Sequence, residues 1–447
     1  MLLFQPIQEV KMYRPEIETA SRDFMQHLQL ELFRNQLKHV YNNSMMYRRK
    51  YDAVGLKPED IKTFDDIKKV PFTTKDDLRI SQEENPPFGD VLCVPREEGV
   101  RVFQTSGTTG KPVKVLFTFR DWFSVGCEHV AYQANGFEIN KSDIAFLPFG
   151  YGLFIAWWGW HAGLERMGVT VVPGGAQSSQ DRIRNIIAWE ATVVLGTPTY
   201  ILHLGDVARD MGVNLNSDSR VRLVVLAGEP GAQIPSTRAI VEETWGAKCY
   251  DAIGASEMPV SFGFECLHKK GTHLIESMFL PEVVEPDGEG YVEPGEQGEL
   301  VMTNLCMETM PLIRYRLRDL VSLTYEKCEC GRTFARMNGG VLGRVDDMIN
   351  YAGVNIYPSA IENVVRSVKA FSSEFQIVVP KQGSSGKLTI KVEPASENVS
   401  PHGLGKAIQD IKETVKLNIG ITPEIEISKI GSLPRYELKA RRTIRKE

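Results

Sequence analysis

The chain has 447 residues, enough for two to three domains with a large buried core in at least one. Hydrophobic residues make up 42% and charged residues 24%, which is typical of a globular protein and excludes a disordered one. The formal net charge of −5 argues against a nucleic acid or an anionic membrane surface as the main partner. The seven cysteines are an odd number and the N-terminus lacks a signal-peptide pattern, so we expect free or metal-bound thiols and a cytoplasmic location.

In chain order, residues 1 to about 90 read as helical, with an amphipathic apolar pattern. From about residue 100, short β-branched runs alternate with helical stretches, which predicts an α/β sheet. The predicted strands are residues 113–118, 169–172, 192–195 and 223–226, and the predicted helices are residues 180–190, 199–211 and 235–245.

Residues 144 to 164 contain no Asp, Glu, Lys or Arg, and such a stretch is long enough to span a bilayer. Pro148, His161 and four glycines interrupt it, however, so that it does not form a uniform apolar helix. We interpret the stretch as a buried turn and helix at a pocket, and a transmembrane segment remains the alternative.

The spacing of strands tightens between residues 282 and 323, which predicts a small β-rich subdomain of about residues 265–340. After Gly343 a new set of helices and strands begins, with a boundary at residues 344–350. We therefore predict an α/β fold with a large N-terminal domain, residues 1–343, and a small mobile C-terminal α/β domain, residues 344–447.

Residues 104–111 read QTSGTTGK and combine hydroxyls, glycines and a lysine, a composition suited to binding phosphate. A P-loop is excluded because Thr105 stands where its first glycine belongs and Pro112 follows Lys111. From these residues alone, a phosphate-binding loop and a flexible turn are both open.

Three later segments carry residues suited to a nucleotide. Residues 226–230 (LAGEP) follow a predicted strand, where α/β sheets place ligands, although a simple turn fits as well. Glu257 could hold Mg²⁺ or be a surface carboxylate. Asp319 lies among three arginines and either accepts the ribose hydroxyls of a nucleotide or belongs to a salt-bridged strand edge.

A second metal site is indicated by two short clusters of soft or borderline ligands. Cys266 and His268 form one, and Cys328 and Cys330 form the other. Four such ligands suit a tetrahedral structural Zn²⁺, with His273 as the reserve ligand and free thiols as the alternative.

These segments, in their order along the chain, resemble the adenylate-forming (acyl-activating) superfamily, and within it the phenylacetate-CoA ligase family. The resemblance covers roughly residues 15–445. It rests on the segments QTSGTTGK at 104–111, FGYGLF at 149–154, GTPTY at 196–200, LAGEP at 226–230, YDAIGASE at 250–257, RYRLRD at 314–319, GRVDD at 343–347, GVNIYP at 353–358 and PRYELK at 434–439.

The resemblance implies a role for each matching residue. Glu257 would hold Mg²⁺, Lys111 would neutralise the leaving pyrophosphate and Lys439 would be the adenylation lysine. Asp346 would be the hinge, while Gly353 and Asn355 would border the path of CoA. The ATP-binding residues would be Ser106, Gly107, Thr108, Thr109, Gly110, Lys111, Gly228, Glu229, Pro230, Asp251, Ala252, Ser256, Asp319 and Arg344.

The chain departs from the family pattern at four places that matter for the site. Ile253 stands where members usually carry an aromatic residue, and Leu438 stands where a glycine precedes the closing lysine. Leu317 and Arg318 replace the family's Thr-Gly before the ribose aspartate. After Phe154, Ile-Ala-Trp replaces a small Thr-Gly-Gly, so that bulky indoles would reshape the acid pocket. The pocket residues implied are Tyr151, Gly152, Phe154 and Trp157.

The resulting hypothesis is an ATP-dependent acid:CoA ligase that adenylates an aryl or arylacetic acid and transfers the acyl group to CoA. Its partners would be a carboxylic acid, ATP and CoA, without nucleic acid or membrane, and a homodimer is possible. Two alternatives are an adenylating enzyme that passes the acyl group to an amine or a carrier-protein thiol, and a non-catalytic, zinc-stabilised nucleotide-binding regulator.

Overall fold

The structure is a computed structural model that describes residues 12–105, 111–381, 386–436 and 440–446. The chain divides into two compact units. The first comprises Met1–Gln177, Ala191–Leu195 and Tyr250–Gly340, and the second comprises Ser178–Glu190, Gly196–Cys249 and Val341–Glu447. The division into domains at residue 344 stays a prediction.

The helices of the first unit differ in how much of their surface is buried: all residues of Cys127–Gly136 are buried, whereas Arg22–Asn43 buries one face. The longest, Arg22–Asn43, begins where the Ser21 side chain accepts a hydrogen bond from the Phe24 amide at 3.2 Å, and it buries Phe33 and Leu37. The α-helices are Pro15–Glu18, Arg22–Asn43, Met45–Asp52, Lys75–Glu84, Cys127–Gly136 and Ile155–Arg166. Short 3₁₀-helices lie at Pro58–Asp60, Phe64–Lys69 and Arg96–Glu98, and Arg120–Gly126 is a π-helix.

The strands of the first unit form a parallel and an antiparallel set. In the parallel set Ile144–Leu147 pairs with Thr170–Pro173 on one side and Val193–Gly196 on the other. Gly99–Gln104 and Lys114–Thr118 form a separate antiparallel pair. The antiparallel set contains, from neighbour to neighbour, Phe279–Val284, Gln297–Asn304, Tyr315–Thr324, Arg336–Met337, Thr272–Leu274, Gly263–Glu265 and Lys248–Ile253.

The apolar stretch at residues 144–164 contains the predicted turn and helix, preceded by a strand that the sequence interpretation did not include. The strand is Ile144–Leu147 and the helix is Ile155–Arg166. Within the described ranges, no helix combines the length and the apolar character that crossing a membrane requires.

The part of the second unit from the middle of the chain contains the strand Leu223–Ala227. Its helices are Ser179–Ala188, Pro198–Asp210, Leu215–Asp218 and Pro235–Trp245. The later part of this unit has a four-stranded sheet with the strand order Glu424–Ile427, Thr389–Pro394, Phe371–Val379 and Thr443–Arg445. The helices Pro358–Ser367 and Pro401–Ile419 cover an apolar core with this sheet. Shorter strands are Gly343–Arg344 and the hairpin Ile349–Tyr351 with Val354–Ile356.

These elements confirm the predicted α/β fold class. The four strands expected between residues 113 and 226 and the three expected helices are present, with ends shifted by one or two residues. The turn-rich region between residues 282 and 323 consists of antiparallel strands, as the β-rich subdomain requires.

Candidate active site

The two flanks of the predicted phosphate loop are bonded to each other. The Thr105 amide donates to the Val113 carbonyl, and the Val113 amide donates to the Thr105 hydroxyl, both at 2.9 Å. Lys111 lies beside this clamp, with Nζ 2.7 Å from Glu83 Oε1 and 76% of its side chain exposed. The remaining predicted residues of the loop, Ser106, Gly107, Thr108, Thr109 and Gly110, lie outside the described residues.

An exposed ion pair of this kind contributes little to stability, so the Lys111 side chain can exchange Glu83 for a phosphate at small cost. Its role at the leaving group stays a prediction.

Glu257 is buried and is held by two side chains that the sequence interpretation missed. Lys75 Nζ lies 2.9 Å from Glu257 Oε1, and the Tyr315 hydroxyl donates to the same oxygen at 3.1 Å. Lys75 is the first residue of its helix, placed by the Thr74 and Asp77 capping box. The capping box could be read from the sequence, but the contact to Glu257 joins distant parts of the chain and leaves no sequence signal.

The loop that carries Glu257 continues to Pro259 and Val260, which contact three helices through His129, Gly126 and Gly159. His129 donates a hydrogen bond from Nδ1 to the Pro259 carbonyl at 2.6 Å in the tautomer that this contact requires. Val260 has φ 60°, a left-handed conformation that is strained for a β-branched residue. It packs against Gly126 and Gly159, where an added Cβ would lie 3.2 and 2.4 Å from its methyl groups.

His129 is buried, and desolvation lowers its pKa to about 4. The imidazole is therefore neutral near pH 7. Its Nδ1–H can then donate to the carbonyl while the site carries no extra positive charge beside Glu257.

Asp319 lies in the strand Tyr315–Thr324, within an irregularity in the strand pairing. The register between this strand and its neighbour shifts between Glu299 and Val301, and Arg318 adopts φ 66°. Its guanidinium is 2.6 Å from Asp287 and 3.2 Å from Glu299. Arg318 thus adopts the left-handed conformation for which the family pattern uses glycine, with ion pairs around its side chain.

Asp251 and Ala252 belong to the strand that precedes the Glu257 loop. The buried Asp251 donates its backbone amide to Glu265 Oε2 at 2.9 Å, and Ala252 pairs with Phe264. Ser256 is half-buried in the loop that follows the strand. The three predicted residues therefore occupy the carboxyl end of one strand and its loop, where α/β folds bind ligands.

The predicted acid-pocket segment follows the parallel strand Ile144–Leu147. The Tyr151 hydroxyl and His161 Nδ1 are 2.8 Å apart, and the Trp158 indole donates to the Gly152 carbonyl at 3.0 Å. Phe154 is 36% exposed, whereas Trp157 is only 4% exposed. The structure therefore leaves Phe154 accessible in this segment and buries the indole of Trp157.

In the second unit, Gly228, Glu229 and Pro230 follow the strand Leu223–Ala227, as expected. Gly228 has φ 94°, which favours glycine. Glu229 Oε1 accepts the Thr199 amide at 2.8 Å, and Glu229 Oε2 accepts the Ala440 amide at 3.1 Å. Lys439, the predicted adenylation lysine, lies outside the described residues.

Arg344 and Asp346, predicted at the nucleotide and at the hinge, form an ion pair with each other. Arg344 Nε is 3.1 Å from Asp346 Oδ1. Gly353 has φ 80° in the two-residue turn between Ile349–Tyr351 and Val354–Ile356, and Asn355 accepts a hydrogen bond from Asn350 at 3.0 Å. The roles of Gly353 and Asn355 at a CoA path stay predictions.

The predicted cluster of cysteines is present, with His273 beside it instead of His268. Ligand atoms of Cys266, His273, Cys328 and Cys330 all lie within 4.8 Å of one another. His268, the expected ligand, lies outside this group, with Nδ1 3.1 Å from Glu329. The chain reverses at Gly271, φ 102°, so that the next strand returns His273 to the cysteines. His273, the reserve ligand of the prediction, therefore lies beside the cysteines in place of His268.

The donor set of this cluster fits zinc. Cys266 Sγ and Cys328 Sγ are 3.7 Å apart, close to the roughly 3.8 Å edge of a tetrahedron with Zn–S distances of about 2.3 Å, and too far for a disulfide. Its hydrogen bond with Cys266 lowers the pKa of Cys330, which favours a thiolate. Burial lowers the pKa of His273, which keeps the imidazole neutral, as a ligand must be.

Two family models match most of the chain. A family model described as "AMP-binding enzyme" matches residues 51–308, and one described as "AMP-binding enzyme C-terminal domain" matches residues 353–446. The first match covers more than half of the chain and defines the class, the AMP-binding enzymes.

Two curated relatives narrow the class. The phenylacetate-coenzyme A ligase of Thermus thermophilus is 36% identical over 95% of this chain and 97% of its own length. The phenylacetate-coenzyme A ligase of Escherichia coli is also 36% identical, over 95% of each chain. The chain therefore belongs to the phenylacetate-CoA ligase family of adenylate-forming enzymes.

Among solved structures, a 2-hydroxyisobutyryl-CoA ligase in the postadenylation state, in complex with 2-HIB-AMP, superimposes with a TM-score of 0.93. It is 29% identical, and the match covers 99% of this chain and 94% of that one. The fold of a large N-terminal and a small C-terminal domain is thus shared with a CoA ligase that holds its acyl adenylate.

Proposed function

We infer that the chain is an ATP-dependent acid:CoA ligase. The observation that carries this conclusion is the near full-length similarity to phenylacetate-coenzyme A ligases, at 36% identity over 95% of the chain. In such a reaction a carboxylate oxygen attacks the α-phosphorus of ATP and pyrophosphate leaves. The CoA thiol then attacks the acyl carbon of the adenylate, and AMP leaves.

The first half-reaction brings two anions together, so its catalysis consists mainly of charge neutralisation and in-line positioning. We propose that Glu257 holds Mg²⁺, because a buried carboxylate oxygen is a ligand that this ion prefers. Bound there, the ion would supply positive charge to the nucleotide phosphates. Lys111 would supply a further charge at the leaving group, and Lys439 would act at the α-phosphate.

For the nucleotide we propose the residues that the family resemblance implies. Asp319 would bind the ribose, and Gly228, Glu229 and Pro230 would line the adenine. Asp251, Ala252 and Ser256 occupy the strand end and loop that lead to Glu257, which supports a place for them at the same ligand. Arg344 would reach the ribose or α-phosphate, and Asp346 would be the hinge of a mobile domain of residues 344–447.

We propose a structural Zn²⁺ at Cys266, His273, Cys328 and Cys330. It would link the turn after Gly263–Glu265, the strand Thr272–Leu274 and the loop before Arg336–Met337, and it would take no part in the chemistry. We also propose a cytoplasmic location, because the cysteines of the described residues form no disulfide. For the assembly we propose a homodimer.

Two classes of acid are open for this ligase. The phenylacetate-coenzyme A ligases are named for an acid with an aromatic ring, whereas the 2-hydroxyisobutyryl-CoA ligase is named for a short aliphatic one. The aryl or arylacetic acid expected from the family resemblance is the first of these classes.

The function can be tested with two assays. Acid-dependent exchange of pyrophosphate into ATP reports adenylation, and AMP release that requires CoA reports thioester formation. Exchange without CoA dependence would favour transfer to an amine or a carrier-protein thiol. Neither exchange nor AMP release across a broad acid panel would favour the non-catalytic regulator.

A further inference from the structure

The segment predicted to line the acid pocket contains a closed aromatic pair. Phe149 follows the strand Ile144–Leu147, and Trp157 lies in the first turn of the helix Ile155–Arg166. Their ring centroids are 3.9 Å apart with an interplanar angle of 9°, so the indole lies face to face on the phenyl ring. Phe149 is 2% exposed and Trp157 is 4% exposed.

Contacts to two parts of the proposed catalytic site place this pair. The amide of Gln104, at the end of the strand that leads into the phosphate loop, donates to the Leu153 carbonyl at 3.2 Å. On the other side, Gly159 lies against Val260 of the loop that carries Glu257. The first turn of the helix therefore lies between the end of the strand Gly99–Gln104 and the loop that carries Glu257.

The separation of the two rings leaves no space for a third ring. Aromatic carbons reach contact at about 3.5 to 4.0 Å, so nothing can be inserted between Phe149 and Trp157. A ring that lines an open substrate cavity keeps part of its surface exposed to that cavity, and these two rings keep almost none. The indole thus fills volume that a small residue at position 157 would leave empty.

Neighbouring contacts hold the segment in this arrangement. The Trp158 indole donates to the Gly152 carbonyl at 3.0 Å, and the Arg101 guanidinium lies 4.6 Å from the Trp158 ring. His161 Nε2 is 3.0 Å from Glu165, which orients the imidazole so that Nδ1 accepts from the Tyr151 hydroxyl. These contacts join residues 151 and 152 to the helix Ile155–Arg166. Separating Phe149 from Trp157 would therefore break several of them.

We propose that the Phe149–Trp157 stack occupies the space an aromatic ring would need, and that this ligase activates short aliphatic carboxylic acids in preference to aryl or arylacetic acids. Trp157 is then the residue that determines specificity. The inference rests on the proposed ligase function and names the acid class for the same site.

The test measures acid-dependent ATP–pyrophosphate exchange with propionate, isobutyrate, 2-hydroxyisobutyrate, benzoate and phenylacetate. For the wild type we expect kcat/KM for the best short acid to exceed that for phenylacetate by about tenfold or more, the discrimination that pocket shape alone provides. Trp157→Ala should raise kcat/KM for phenylacetate and lower it for the short acids, which reverses the ratio. Trp157→Leu, which leaves a smaller cavity, should give an intermediate ratio.

Trp160→Ala is the matched control. Trp160 lies on the same helix, is 1% exposed and packs against Phe137 with an interplanar angle of 18°. Its removal should lower the melting temperature without changing the ratio between acids. A loss of folding in Trp157→Ala would therefore be distinguished from a change of preference.

Each outcome has one meaning. A wild type that prefers phenylacetate or benzoate, or folded Trp157 variants with the wild-type ratio, would overturn the inference and leave the ligase function intact. Absence of exchange with every acid of the panel would contradict the ligase function and the inference together.

Discussion

The carboxylate of Glu229 accepts the backbone amide of Ala440 at 3.1 Å. Its other oxygen accepts the Thr199 amide at 2.8 Å, at the start of the helix Pro198–Asp210. One side chain, predicted to line the adenine, thus connects a helix start with the residue that follows Lys439. The second unit thus holds the residue after the predicted adenylation lysine through Glu229, a residue that we propose to line the adenine.

We expect Lys439→Ala to lower the rate of acyl-adenylate formation by about 100-fold or more, because the reacting phosphate loses a positioned positive charge. Thioester formation from preformed acyl adenylate should stay within about threefold of wild type, because the lysine acts only on the first step. Pyrophosphate exchange and CoA consumption measure the two half-reactions separately. Lys429→Ala, which changes an exposed lysine, is the control and should affect neither.

Glu229→Ala should weaken the same first half-reaction to a smaller degree, since the Ala440 amide loses its acceptor. Equal losses in both half-reactions for Lys439→Ala would show that another residue is the adenylation lysine.

At Glu257 the proposed Mg²⁺ would compete with Lys75 for the carboxylate. We expect Glu257→Gln to reduce adenylation by about 100-fold, because the ion loses its charged ligand. Lys75→Met should lower the Mg²⁺ concentration that gives half-maximal exchange, since Lys75 Nζ is 2.9 Å from the same oxygen. Tyr315→Phe removes only a neutral hydrogen bond and should keep the wild-type Mg²⁺ response. If Lys75→Met left that response unchanged, the proposed metal position at Glu257 would be wrong.

Variants at Arg318 test the backbone next to Asp319, the residue proposed to bind the ribose. Arg318→Gly should keep the KM for ATP within about threefold of wild type, because glycine adopts φ 66° without strain. Arg318→Val should raise that KM by about tenfold and lower the melting temperature, since a β-branched residue is strained in this region by about 1 to 3 kcal/mol. Asp287→Asn, which removes one of the two ion pairs of Arg318 and leaves the backbone unchanged, should behave as wild type. Indistinguishable Gly and Val variants would refute the role of this backbone conformation.

The different positions of His273 and His268 relative to the cysteine cluster give a direct test of the proposed zinc. Zinc measured by elemental analysis should be about one per chain in the wild type and near zero in His273→Ala, with a melting temperature lower by several degrees. His268→Ala should keep both values, because its ring lies outside the cluster. Loss of zinc from His268→Ala alone would restore the original assignment.

The pH dependence of stability should report His129. Its pKa is about 4 in the folded protein because of burial, below the value near 6.5 of an unfolded chain. Between these two values the unfolded chain binds a proton that the folded protein does not. The contribution of His129 to the free energy of unfolding therefore keeps its full value above pH 6.5 and decreases by about 1.4 kcal/mol per pH unit as the pH falls towards 4. Urea unfolding at several pH values should show this slope in wild type and a smaller slope in His129→Asn. His27→Asn, at an exposed position, should keep the wild-type slope, and an unchanged slope in His129→Asn would contradict the account.

The order of the motifs along the chain and the local pattern of apolar and turn residues made many elements of this fold predictable. Strands such as Leu223–Ala227 are short apolar runs between turn residues, and the motif residues follow them in a recognisable order. Contacts between distant segments were not predictable in the same way. The ion pair of Lys75 with Glu257 depends on where a helix start meets a loop.

Two further residues show the same limit. His273 replaced His268 because a reversal of the chain, not the spacing along it, decides which imidazole reaches the cysteines. Arg318 was recognised as a departure from the family pattern, but its left-handed backbone is visible only in the structure.

The strained backbone of Val260 has a practical consequence for protein engineering. Its conformation depends on the absence of a side chain at Gly126 and Gly159, two positions far apart in sequence. Libraries that vary the first two turns of the helix Ile155–Arg166 to change acid preference should therefore randomise position 157 and keep glycine at 159. A designer who fills Gly159 would displace the loop of Glu257 and lose turnover for every acid, whatever the new pocket was built to accept.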